Sequence, residues 1–146
     1  MRPLVFRWTV IWALAALAAC GSPAAATPEL SSFVAVPAGS LGAPTDATSP
    51  PTVRVSAGRI EIFGLIDTPD PCQLLTAEFT RSSQDLHLRV STRSTGGACI
   101  LILGRFAYTA VIIGLPAGVY NFDVTHTYPN TGWPTSVVVT QSAKVE

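Results

Sequence analysis

Charge is scarce in this chain of 146 residues: nine Lys and Arg, nine Asp and Glu, together 12% of the sequence, with two histidines and one methionine. That rules out a basic footprint for nucleic acid and a polybasic membrane patch. Patterns that carry common chemistries are missing too. There is no Gly-x-Ser-x-Gly elbow, no His-Glu-x-x-His zinc helix and no phosphate-cradling glycine loop. The chain therefore reads as non-enzymatic, with no cofactor and no metal. Beyond residue 19 no apolar stripe repeats at helical spacing, which argues against a helical body. Cysteine is rare as well, limited to Cys20, Cys72 and Cys99.

What is present begins at the amino terminus. Arg2 and Arg7 precede the uncharged stretch Trp8–Ala19, which contains Val10, Ile11, Trp12, Leu14 and Leu17. A bilayer-spanning helix takes roughly 20 apolar residues, so this stretch suits the apolar region of a signal peptide better than a permanent anchor. Leu17-Ala18-Ala19-Cys20 closes it. These residues resemble the lipobox of bacterial lipoproteins (Leu, small, small, Cys), cut by prolipoprotein signal peptidase. The resemblance implies a signal peptide over 1–19, a lipid-modified Cys20 and acylation of the new amino terminus by palmitate or a similar chain. Several acyl chains on one residue anchor stably where a single chain is marginal. The competing reading is an ordinary secretory signal cut near Ala18–Ala19, which leaves Cys20 as an odd thiol in an oxidising space. Gly21, rather than Asp, follows the cysteine. In enteric-type sorting that resembles release to the outer membrane, so the expected location is the cell envelope, with the membrane engaged through Cys20.

Residues 20–51 read as a tether. Six of the twelve prolines lie here, among Ala, Ser, Thr and Gly, with Glu29 and Asp46 the only charges. Such a composition buries too little to offset its ordering entropy. Ser32–Val36 is the exception, open to reading as a short strand.

Residues 52–146 read as one folded domain of period two. Ile60 and Ile62 alternate with Arg59 and Glu61; Leu86, Leu88 and Val90 with His87, Arg89 and Ser91; Tyr120, Phe122 and Val124 with Asn121, Asp123 and Thr125. Weaker runs span Leu74–Arg81 and Ser136–Val145, and turn residues separate them all. About seven strands in this length imply an all-β, antiparallel β-sandwich. The run Cys99–Ile113 is long for one strand and is expected to break at Gly104-Arg105. Ile100–Leu103, apolar on both faces, is expected in a central, doubly covered position; a buried helix over 99–114 is the competing reading.

Cys72 and Cys99, an even pair in an exported small domain, are expected to form a disulfide. Closing that loop contributes roughly 3–4 kcal/mol in the chain-entropy picture. Gly114-Leu115-Pro116-Ala117-Gly118-Val119-Tyr120 resembles the strand–turn–strand found in immunoglobulin-like and prealbumin-like sandwich modules of bacterial exported proteins. That resemblance implies architecture and no activity. Leu115 is expected to plug the core edge, and the Tyr120 hydroxyl to tie to nearby backbone. The Pro-Asp-Pro-Cys turn ending at Cys72 is similar to that of small lipoproteins without an assigned activity.

Among polar candidates, His87 is expected to be solvated and His126 to be a hydrogen-bonded histidine at the core rim. Asp123 lies three residues from His126, so a strand points the two to opposite faces. Asp67 and Asp70 are the one pair considered for calcium. The most prominent contact surface is the loop 127–135, with Tyr128, Asn130 and Trp133 as its candidate binding residues; Trp133 reads equally as a cap folded onto the sandwich. The functional expectation is a lipid-anchored envelope protein whose sandwich binds or assembles, with an envelope protein as partner. An exported protease inhibitor is the alternative.

Overall fold

The computed structural model describes residues 26–146; the expectations for the signal segment 1–19 and for Cys20 lie outside them. Eight strands follow one another: β1 (Glu29–Pro37), β2 (Thr52–Ser56), β3 (Arg59–Thr68), β4 (Gln73–Ser82), β5 (Asp85–Ser94), β6 (Gly104–Ile113), β7 (Gly118–Thr127) and β8 (Ser136–Val145). They form two four-stranded sheets, ordered β1-β6-β3-β2 and β4-β5-β7-β8. The expected all-β sandwich is therefore what forms, with one disulfide between Cys72 and Cys99.

The period of two decides which side chains meet between the sheets. Ile60, Ile62 and Ile66 of β3 face Leu86, Leu88 and Val90 of β5 and Phe122 and Val124 of β7 in one buried cluster. Each such side chain removed from water contributes roughly 1.5–3 kcal/mol. Tyr108 fills the largest share of that core, and its register partner on β3 is Gly64. A Cβ on Gly64 would sit 2.3 Å from the Tyr108 ring, so the absence of a side chain there gives the ring its space. At the β6–β7 connection Leu115 is buried, and the Tyr120 hydroxyl donates to the Pro116 carbonyl at 2.8 Å, as expected.

Three features depart from the sequence reading. The tether expected over 20–51 is corrected at β1, which pairs with β6 from Glu29–Ile113 to Pro37–Phe106. Leu30, Phe33 and Ala35 pack against the core, and a register shift between Leu30 and Ser32 breaks the simple alternation that would have announced the strand. Pro37 ends the strand, a position that tolerates a residue without an N–H. Second, β5 and β7 pair in parallel, from Asp85–Asn121 to Ser91–Thr127. The chain crosses to the other sheet as β6 and crosses back, which restores its direction. Third, Ile100–Leu103 is not central: these residues precede β6 and are exposed. The ladder ends at Thr68–Gly104, where β3 runs into Pro69 and offers nothing further to pair with. Gly104 is where the chain squeezes past that turn, since a Cβ there would lie 2.4 Å from Thr68 Oγ1 and 2.7 Å from the Asp70 carbonyl.

The pairings give the sandwich two unlike ends. Glu29, Arg59 and Ile113 share one end through their registers, as do Gly118 and Val145. Only the connections 57–58, 83–84 and 114–117 lie there. The opposite end, the loop end, carries 38–51, 69–72, 95–103 and 128–135.

Candidate functional site

The loop end is built on a stiff base. The Asp70 carboxylate accepts from the Cys72 N–H at 2.9 Å and from Gln73 Nε2 at 2.8 Å, while Thr68 Oγ1 donates to the Asp70 carbonyl at 2.6 Å. The disulfide then ties this turn to Cys99, with Cα atoms 6.1 Å apart. Thr95 closes the other side, its N–H and its hydroxyl both donating to the Cys72 carbonyl at 3.0 and 3.1 Å. Asp70, Cys72 and Cys99 are close enough together to suggest a metal site, but the disulfide consumes both thiols. Calcium at Asp67 and Asp70 is not supported either. Arg105 grips Asp67 through Nε at 2.5 Å and Nη2 at 3.1 Å, and that hydrogen bonding holds the Asp67 carboxyl below the usual range.

The candidate loop 127–135 faces this base across a cleft and is held by its own contacts. The Thr131 hydroxyl donates to the Tyr128 carbonyl at 2.8 Å and accepts from the Trp133 N–H at 3.1 Å. Asn130 takes a left-handed φ of 63°, a conformation Asn adopts more readily than most residues, and its side chain is exposed. Tyr128 and Trp133 pack at 5.3 Å between ring centroids, and both are half-buried. Tyr128 packs against the core, and Trp133 rests on its ring. Beneath them, burial pushes the Tyr128 hydroxyl pKa up, with the Asp67 charge adding to it.

Between the 69–72 turn, the end of β5 and Asn130–Thr131 lies an open cleft of about 700 Å³ that includes Asp70, Gln73, Thr92 and Arg93. Gln73 Oε1 and Thr92 Oγ1, both buried, have no hydrogen-bond partner among the described residues. An unpaired buried polar atom costs about 1–3 kcal/mol, which a polar group reaching them would relieve.

The histidines separate. His126 is only 3% exposed and shares a 2.9 Å hydrogen bond with the Tyr108 hydroxyl through Nε2. Burial lowers its pKa to about 4, so it is neutral at pH 7, and burial raises that of Tyr108. This is the structural histidine expected, placed deeper than the rim. His87 lies on the exposed outer face, as expected, but Nδ1 meets the Asp123 carboxylate. The parallel pairing of β5 and β7 sets the two residues opposite each other. Sequence reasoning missed that contact because it looked for an Asp123 partner along β7. A shallow cleft of about 660 Å³ on this face adds Glu78, Arg89 and Thr125. No hydroxyl hydrogen-bonds to His87 among the described residues.

Comparison of the chain with protein-family models, with curated proteins and with solved structures finds no match. The residues themselves must carry the functional reading.

Proposed function

We propose that this chain is a lipid-anchored cell-envelope protein whose β-sandwich is a non-catalytic binding module, held to the membrane through Cys20 and meeting its partner with the loop end. The observation that supports this most is the segregation of connections. The chain enters the sandwich at Glu29, beside the short turns, while the three longest connections cluster at the opposite end. An anchor upstream of Glu29 therefore joins the sandwich at the end away from its longest connections. The half-open Trp133 and the exposed Asn130 give that end both apolar and polar contact potential. On the chemical side, His126 is buried and committed to Tyr108, and Asp123 to His87.

Metabolic labelling with palmitate in bacteria expressing the full chain tests the anchor. The wild-type product takes label and the Cys20→Ser product does not; equal labelling, or none on either, overturns the anchor. A cross-linked pull-down from the envelope fraction then tests the module. A stoichiometric partner lost on Trp133→Ala and Asn130→Ala supports the loop end, whereas turnover of a substrate that depends on His87 and Asp123 would overturn the non-catalytic reading.

A further inference from the structure

Four consecutive aliphatic side chains stand in solvent beside the disulfide: Ile100, Leu101, Ile102 and Leu103 are 62, 94, 58 and 71% exposed. Single exposed apolar residues are ordinary on a protein surface, but a contiguous set marks a contact. We propose that this finger inserts into the surface of a lipid bilayer.

The choice of occupant follows from the shape and charge of the finger. A groove in a protein would cover one face of the segment and leave alternate side chains open. Here every position is apolar and open, which suits a hydrocarbon phase that surrounds the finger on all sides. From Thr95 to Gly104 the chain carries no charge, and the carboxylates nearest in space are already engaged, Asp67 by Arg105 and Asp70 by the Cys72 N–H and Gln73. Arg93 stands exposed at the base of the finger, the depth at which lipid phosphates would lie, while Arg105 on the other side is paired with Asp67. The half-open Trp133–Tyr128 pair belongs to the same end, and aromatics of this kind are favoured at the membrane–water boundary. On the neighbouring loop Leu41 is fully exposed. The finger is also clamped, by the disulfide at Cys99 on one side and by β6 from Gly104 on the other, so insertion costs little ordering entropy.

Insertion does not depend on acylation of Cys20, and the two are geometrically compatible. The nine residues from Cys20 to Glu29 reach at most about 32 Å when fully extended. A ten-residue strand is roughly 33 Å long. The foot and the finger can therefore share one bilayer with the sandwich lying along its surface.

Among the described residues, Ile100–Leu103 lie outside every ladder and none of their N–H groups makes a backbone hydrogen bond. Their amides should exchange quickly in water, so any slowing reports burial directly. The test is hydrogen exchange of the full chain, alone and with vesicles of phosphatidylethanolamine and phosphatidylglycerol. Residues 100–103 are expected to slow by about tenfold or more on vesicles, while the 83–84 turn at the other end is unchanged. The Leu101→Ser/Leu103→Ser variant, checked for a wild-type circular-dichroism spectrum, should lose that slowing. Unchanged exchange on vesicles overturns the proposal and leaves the finger to a protein socket. Concentration-dependent slowing without vesicles overturns it in favour of a second copy. Because the readout is local to the finger, it stands apart from the palmitate result on Cys20.

Discussion

The two ends of this sandwich handle apolar side chains in opposite ways. At the end where the chain enters the sandwich, Leu115 and Tyr120 are drawn inward, and the connections are the short 57–58, 83–84 and 114–117. At the loop end, Ile100–Leu103 are pushed outward past the last rung of the ladder, although they form as apolar a run as any in the folded part. Hydrophobicity alone therefore does not decide burial. What decides it is whether a neighbouring strand extends far enough to cover the residue, and here β3 stops at Pro69. The loop end compensates with covalent and polar bracing, through the disulfide and the contacts around Asp70.

The comparison is broken most severely by removing that bracing. Cys72→Ala with Cys99→Ala is expected to lower stability by about 3–4 kcal/mol. Chemical denaturation should show the loss, and hydrogen exchange should show it first at 69–72 and 95–99 rather than at the 57–58 turn. Acid comes next. His126 holds a pKa of about 4 when folded against 6.5 when free, so the unfolded chain takes up a proton that the folded one refuses. Its contribution is complete above pH 6.5 and is lost as pH falls toward 4, by about 3 kcal/mol in all. Denaturation midpoints across that window should fall for the wild type and flatten for His126→Phe, provided the variant folds.

In the middle of the sandwich, Gly64→Ala forces a methyl into the Tyr108 ring and is expected to cost about 1–3 kcal/mol, read as a lower thermal midpoint. At the exposed extreme, Leu101→Ser is expected to change stability by no more than about 0.5 kcal/mol. The contrast with Leu88, buried on β5 and expected to cost about 2–5 kcal/mol as Leu88→Ala, sharpens the point that position outweighs residue type.

Much of this architecture was legible because strand period is local. Ile60 and Ile62, Leu86, Leu88 and Val90, and Tyr120, Phe122 and Val124 all face inward where their alternation placed them. The disulfide and the Tyr120 tie were equally readable, one from compartment and count, the other from a turn pattern. Less legible was whatever depends on which strands become neighbours. β1 hid within a Pro- and Ala-rich segment because its register shift spoils the alternation. The His87–Asp123 contact arises from a parallel pairing of strands 36 residues apart, which no local pattern encodes. The same holds for Ile100–Leu103, whose exposure follows from the length of β3 rather than from their own composition. For the candidate site, Tyr128, Asn130 and Trp133 were readable as a stiff aromatic loop. Gln73 and Thr92 were not, since nothing in their neighbourhoods marks a buried polar atom without a partner.

The most direct test of the proposal that the chain works through its loop end is site-specific photo-cross-linking in intact cells, with the reactive residue placed in the full chain at Asn130, Leu101 or Ser83. Discrete adducts to envelope protein from Asn130 and to lipid from Leu101, with none from Ser83, are expected. Adducts from Ser83 while Asn130 and Leu101 stay silent would contradict the account.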